Sequence, residues 1–355
     1  MTVIRLRHLP SVLAGVIAFA AGRSPAVGGA PRTLDWPILV AQIPVDARFQ
    51  TPEGCADGML RCHYGQNGRI VRLDPDGTLT VLTEGFHSAC EFDVSFDGQR
   101  ILFAGQQNPG DNWDIYEMNA DGTGVRQVTR DAGNCRSPAY QSTLYTIVST
   151  EPWYQIMFTS DMAGQMNEYG SGPATSLYSC KMDGSELRRL TMNLSDDMDP
   201  FLQPDGRVLL ASWQRMDLRR GYRGRIALFG VNTDGADYAL FCGDQGKRIK
   251  HMPCETTGGL VVFVEADRVG WDGAGQLASV TLRRPLYSYR PVTEDDDWLY
   301  HSPSPLPDGT VLVARRPADG SGNHAVGRLD PDTGRFEQVF DDPDRHDFHA
   351  KVLAP

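Results

Sequence analysis

The sequence predicts an all-β fold, a six-bladed β-propeller with seven blades as the nearest alternative. Three observations carry the prediction: a unit of four short apolar runs recurs along the chain, Asp-Gly turns sit at fixed places inside the units, and no long helical periodicity interrupts them. A four-stranded antiparallel unit returning about every fifty residues is the mark of radial repetition, which buries both faces of each sheet.

Residues 1–30 stand apart from the repeats. Arg5, Arg7 and His8 form a basic start, residues 9–22 (LPSVLAGVIAFAAG) an apolar stretch, and residues 26–30 (AVGGA) a run of small residues. That pattern predicts a secretory leader, too short to cross a bilayer comfortably. The expected domain is then a single propeller over residues 31–355, periplasmic or secreted, with no membrane span once the leader is removed.

The clearest copy is DVSFDGQRILFAG followed by NWDIYEMNADGTGVRQVT, within residues 93–129. The same grammar returns as SPAYQ, QIMFTSD and SLYSCKMDGSELRRLT at 137–191, as DPFLQPDGRVLLASW with GRIALFGVNTDGADYALF at 199–241, and as SPSPLPDGTVLVARR with HAVGRLDPDTGRFEQVF near the end. Weaker copies are ILVAQIP with GRIVRLDPDGTLTVLT at 38–83, and TTGGLVVFVEAD with QLASVTLRRPLYSYRPVT at 256–293. Each run alternates in polarity and is rich in β-branched and aromatic residues, as half-buried strands are. The Asp-Gly pairs at 97–98, 205–206 and 308–309 join the first two runs of a unit; those at 76–77, 121–122, 183–184 and 234–235 join the last two. Such pairs suit type I′ hairpins, in which both central residues have positive φ. Residues 36–44 and 348–353 are lone apolar strands, expected to meet and close the ring.

The chain carries 34 Lys and Arg against 45 Asp and Glu, a net charge of −11. This surface repels nucleic acid and anionic lipid. Seven Cys in an exported chain make disulfides plausible and leave at least one thiol unpaired in the monomer. Cys55 and Cys62 are the best local pair.

DVSFDGQRILF, DIYEMNADGTGVRQVT and SLYSCKMDGSELRRLT resemble the propeller repeats of TolB-type proteins. PILVAQIP, WDIYEMNADG and the tail FHAKVLAP are similar to the middle propeller domain of hydrazine synthase alpha-subunit-like proteins, in which a propeller accompanies c-type haem domains. The resemblance covers residues 36–355 and implies an exported propeller. The family's haem chemistry is not carried over, because no C-x-x-C-H occurs; the nearest approach, Cys55, Cys62 and His63, has the wrong spacing. No cofactor is expected.

Residues near the starts of innermost strands should converge at one mouth of a central channel. The candidates are His87, Cys90, Cys135, Asp197, Asp199, His251, Asp297 and His301. Thiols, imidazoles and carboxylates together suit a transition metal, although no pair has a diagnostic spacing, and disulfide formation or core packing is the favoured reading of Cys90 and Cys135. The aspartates read as turn caps or solvated groups, with a cation such as calcium as the alternative. Arg219, Arg220, Arg223 and Arg225 make a basic insertion suited to a carboxylate or phosphate, or a solvated hairpin tip. The insertion 162–175 is either a binding loop or idle.

No G-x-S-x-G nucleophile turn is present, and the acidic residues single out no catalytic pair. The expected function is therefore a binding or scaffold domain for a protein or small ligand at the channel mouth, rather than an enzyme. One alternative is a subunit or truncated relative of the hydrazine-synthase-alpha-like proteins; the other is a metal-dependent polysaccharide lyase or hydrolase, conceivable from His87, His251 and His301.

Overall fold

The computed structural model describes residues 34–45, 65–146, 149–168, 170, 172–214, 224–268 and 270–354, with backbone alone for 142–146, 149–153 and 214. These fall in the unit Arg32–Pro355. The leader segment 1–30, Cys55, Cys62, His63, Arg219, Arg220 and Arg223 lie outside the described residues.

Among the described residues every regular element is a strand. β1 (Ile38–Pro44), β2 (Arg69–Leu73) and β3 (Leu79–Val81) run side by side in one sheet. β4 (Ser88–Val94), β5 (Arg100–Gln106), β6 (Asp114–Asn119) and β7 (Arg126–Gln127) form the next, and β8 (Cys135–Thr146), β9 (Ser149–Ser160), β10 (Ser176–Lys181) and β11 (Arg188–Arg189) the one after. Two further four-stranded antiparallel groups follow: β12 (Asp197–Leu202), β13 (Arg207–Gln214), β14 (Arg225–Asn232) and β15 (Ala239–Leu240), then β16 (Ile249–Glu255), β17 (Leu260–Ala266), β18 (Gln276–Thr281) and β19 (Arg290–Pro291). A single parallel pair, Ile226 with Ile249, merges these two groups into an eight-stranded sheet. β20 (Trp298–Pro305), β21 (Val311–Pro317), β22 (Ala325–Leu329) and β23 (Phe336–Phe340) make another sheet, and β24 (Arg345–Val352) returns to pair antiparallel with β1. The two apolar end segments thus meet in one sheet.

The first strands of successive groups touch in order: β4 and β8, β8 and β12, β12 and β16, β16 and β20, β20 and β24, and finally β24 and β4. The inner strands form a closed ring. Sheets packed on both faces need continuous apolar runs rather than alternation, and the second strands supply them. Ile101, Leu102, Phe103 and Ala104 are fully buried, as are Val261 to Val264 and Val311 to Ala314.

The Asp-Gly turns differ from the expected type I′. In all seven the Gly has φ between 69° and 90°, while no Asp of these pairs has positive φ. Gly98 N–H bonds back to Ser95 C=O, and Gly122 N–H to Asn119 C=O. This is a type I turn followed by a left-handed Gly. The Asp carboxylate explains the choice, because it accepts the N–H two residues on in every case: Thr78, Gln99, Thr123, Ser185, Arg207, Ala236 and Thr310. That hydrogen bond closes the turn while keeping Asp in its own preferred region. A second repeated device ends the outer strands. The hydroxyls of Thr83, Thr129, Thr191 and Thr293 accept the N–H of Ile70, Ile115, Leu177 and Leu277, where the short outer strand no longer reaches.

The β1–β24 pairing joins the chain's two ends, and Leu39 in it is fully buried. Leu39→Ala removes core packing at the closure and is expected to cost about 2–5 kcal/mol. Leu79→Ala, on the exposed strand β3, is expected to cost about 0.5 kcal/mol or less. Urea unfolding of the two variants measures the contrast.

Candidate functional site

Six positions on the inner strands share an unusual backbone. Glu91, Ser137, Asp199, Met252, Ser302 and His349 all have φ between 44° and 52°, in the left-handed region. Each lies on one of β4, β8, β12, β16, β20 and β24, where the ladder shifts register at a bulge. Four are followed by proline, at Pro138, Pro200, Pro253 and Pro303, which cannot donate to a ladder and so settles at bulges. A non-glycine residue held there costs of order 1–3 kcal/mol. The strain is repeated around the ring.

All six line one cavity of about 90 Å³, together with the four prolines, Phe92 and Lys351. The bulge turns each residue off the ladder toward the channel. Its freed N–H then needs an acceptor, and in three places the preceding four-stranded group supplies one. Glu91 Oε2 accepts Ser137 N–H at 2.9 Å, Asp199 Oδ2 accepts Met252 N–H at 3.2 Å, and Met252 Sδ accepts Ser302 N–H at 3.3 Å. A side chain of one four-stranded group thereby holds the strained backbone of the next. Arg136 Nε adds a 2.9 Å charge-assisted bond to Glu91, with its guanidinium 4.3 Å from the Trp113 ring centroid. Asp93 accepts both Lys351 Nζ at 2.7 Å and Tyr140 N–H at 2.8 Å, and the His349 ring stacks on Phe92 at 4.5 Å. The cavity wall combines carboxylates, a lysine, an imidazole, hydroxyls and proline rings, which suits a small polar ligand or an inserted side chain.

Of the residues expected at the mouth, Asp199 lines this cavity. His251, fully buried, sets Nδ1 3.6 Å from Asp199 Oδ2 and stands one residue before the bulge, as do Cys90 and His301 on their own strands. Cys135 and Asp197 open β8 and β12 and sit two residues before the bulge. Cys90 and Cys135, on neighbouring inner strands, pack into one buried apolar cluster. Asp197 is buried within its own sheet, where Ser212 Oγ donates to it at 2.6 Å. Cys90 and Cys135 are both buried thiols and are not bridged to each other; the Cys135 Sγ donates to Ala132 C=O at 3.3 Å, and burial pushes its thiol up to about 12. His87 is half-buried just before β4, and Asp297 is exposed just before β20. Arg225, the described member of the basic insertion, pairs with Asp244. Among the described residues no group of three His, Cys, Asp or Glu side chains is placed to hold a metal ion.

Glu91, Ser137, Met252, Ser302, His349 and Lys351 were not among the expected residues. Ser137, Met252 and Ser302 carried a signal, the X-Pro step that recurs at the same place in four copies with Asp199-Pro200, whereas Glu91, His349 and Lys351 precede no proline.

Two buried polar groups lie outside the cavity. His301 packs edge-on against His324, whose Nδ1 meets His346 Nδ1 at 3.0 Å and whose Nε2 meets Asp272 Oδ2 at 3.0 Å. Burial raises the Asp272 carboxyl, but hydrogen bonds from His324 and Arg316 outweigh it and hold the group well below the usual range. Burial, then the neighbouring His324, brings the His346 imidazole down to about 4. Asp196, beside Asp197, is 3% exposed; its Oδ1 accepts Thr175 N–H at 3.1 Å and its Oδ2 has no partner. Burial raises its carboxyl to about 7.

No family model matches the chain. Hydrazine synthase subunit alpha of Kuenenia stuttgartiensis is 31% identical over 339 residues, an alignment covering 80% of this chain and 41% of that protein. The chain therefore spans about two fifths of the length of its curated relative. Among solved structures, Kuenenia stuttgartiensis hydrazine synthase superposes with a TM-score of 0.74 at 28% identity, covering 90% of this chain and 46% of that one. TolB from Acinetobacter baumannii gives 0.62 at 13% identity, over 90% of this chain and 66% of that one. A nidogen/laminin complex structure gives 0.55 at 10%, over 89% and 98%. The last two show fold alone. The chain is a β-propeller similar in fold to TolB and in sequence to hydrazine synthase subunit alpha.

Two substitutions test this account. Glu91→Ala leaves the Arg136 guanidinium and the Ser137 N–H without their carboxylate and is expected to cost about 1–3 kcal/mol, whereas Glu91→Gln, which keeps an acceptor oxygen, costs less; urea unfolding compares them. Asp196 binds its proton more tightly folded than unfolded, so its contribution is complete below about pH 4 and is lost as pH rises through about 7. Asp196→Asn cannot ionise. Its stability relative to the natural chain should rise by about 1–4 kcal/mol between pH 4 and pH 8, measured by denaturant unfolding at each pH.

Proposed function

We propose that the chain is an exported six-bladed propeller, a single domain over residues 31–355 behind a removed leader, that serves as a binding or scaffold domain for a protein or small ligand at its channel. The observation that carries this reading is the ring of six left-handed residues around one cavity. Strain repeated at equivalent places and aimed at one space marks a functional position more than a packing accident. The six inner strands, each opening a group of four, support the blade count.

A second reading rests on the likeness to a protein named as a subunit. The chain would be the propeller portion of a hydrazine-synthase-like assembly, docking the parts that carry the chemistry. Neighbouring coding sequence bearing C-x-x-C-H motifs, or haem copurifying with the captured partner, supports it, and the absence of both removes it.

The channel reading is tested at Ser137. Ser137→Asn tolerates the left-handed backbone and puts a larger amide into the cavity. We expect a melting temperature within about 4 °C of the natural chain, a change of roughly 1 kcal/mol or less, with at least a tenfold loss of partner captured from the exported fraction. Unchanged capture, or turnover by the purified chain without a partner, overturns it.

A further inference from the structure

One hairpin outruns its sheet. β4 and β5 span seven residues each, as do β16 and β17, but β8 and β9 span twelve each. β10 stops where Lys181 pairs with Gln155, while β8 and β9 go on pairing at Leu144 with Trp153 and at Thr146 with Ser149. The excess is a two-stranded arm whose strands run about 16 Å past the point where β10 ends. At its base lies a groove of about 940 Å³, between the β4–β7 and β8–β11 sheets and apart from the channel.

The arm is more apolar than a solvated hairpin needs to be. Its strands carry Leu144, Tyr145, Trp153 and Tyr154 against one charged residue, Glu151. A two-stranded ribbon is marginal in water by itself, and an apolar one exposes the kind of surface that marks an interaction site. Two aromatics that line the groove are exposed, Tyr154 at 67% and Phe96, in the β4–β5 turn, at 64%. Pro152 takes a donor out of the β9 edge, which disfavours growth by strand pairing. The arm is therefore suited to cover by a surface of side chains rather than by an added strand.

Charge selects the occupant. The chain carries a net charge of −11, so most of its surface repels a second copy. The groove does not, because Arg100, Arg126 and Lys181 stand there beside Asp97, Glu117 and Asp183. Arg100 and Arg126 both hold the buried Glu117, at 3.3 and 2.6 Å, and Lys181 pairs with Glu186 at 2.7 Å. A locally neutral patch with exposed aromatics can face a copy of itself. Arm and groove together offer about two dozen residues, as many as one side of a standard interface engages. We propose that they form a two-fold interface between two copies of this chain, the arm of each lying in the groove of the other. Such an exchange is self-complementary and closes at a dimer.

Sedimentation equilibrium of the full chain, with reductant present so that no disulfide between copies contributes, should show a dimer with a Kd of about 10 μM or tighter. Phe96→Asp and Tyr154→Asp each put a carboxylate on an exposed position of the patch. Each should weaken the dimer about tenfold or more, with a melting temperature within about 4 °C of the natural chain. Tyr287→Asp, at a more exposed aromatic that does not line the groove, should leave the dimer unchanged. The interface is overturned if the chain stays monomeric at about ten times that concentration, if both groove variants dimerise as the natural chain does, or if Tyr287→Asp weakens the dimer as much as they do. A monomer that captures a different polypeptide through Tyr154 also overturns it.

Discussion

The pairing of β24 with β1 is the interaction on which the rest depends. Seven residues of β1, from Ile38 to Pro44, are in register with the returning strand, and without that pairing the inner-strand ring has two open ends. The closing strand also carries much of the polar architecture. His349 and Lys351 reach the channel cavity, His346 meets His324 in the buried cluster, and Asp347 accepts Gln42 Nε2 at 2.6 Å. The strand that closes the ring also supplies part of the site. A change that loosens one is felt in the other.

The bulges show how the ring manages a conflict between sheet and channel. A regular inner strand would spend every backbone group on its own sheet and present a uniform wall. Turning one residue per strand into the left-handed region aims a side chain inward but frees an N–H that cannot be left buried and unpaired. The neighbouring four-stranded group answers at Glu91, Asp199 and Met252. Local strain is thereby converted into contact between neighbouring four-stranded groups, and the geometry of the channel is tied to the packing of the ring.

The two concave features are of different kinds. The channel cavity follows from the repeat, since every inner strand contributes to it. The groove beside the β8–β9 arm breaks the repeat, arising where one hairpin outruns its sheet. The likeness to hydrazine synthase subunit alpha extends over 80% of this chain and less than half of that protein, so the propeller is the shared portion. Its recurring parts account for the resemblance to TolB in fold at 13% identity, because turns and alternation can persist while most side chains change.

Strands, turns and closure were legible in the sequence because each is encoded locally. Short apolar runs rich in β-branched and aromatic residues mark strands, Asp-Gly marks hairpins, and the apolar segments 36–44 and 348–353 marked the ends that meet. Even there the turn type needed the structure, since only the hydrogen bond from the Asp carboxylate shows why Asp keeps negative φ. The convergence of the channel residues was not local. Asp199 lines the cavity because it stands at the bulge itself, whereas Cys90, His251 and His301 stand one residue before it and Cys135 and Asp197 two. Composition and spacing determined that copies of one four-stranded unit would recur and that the two apolar end segments would meet; which side chains they bring together was decided by tertiary structure, because that depends on where each strand leaves its ladder and which neighbour supplies the acceptor.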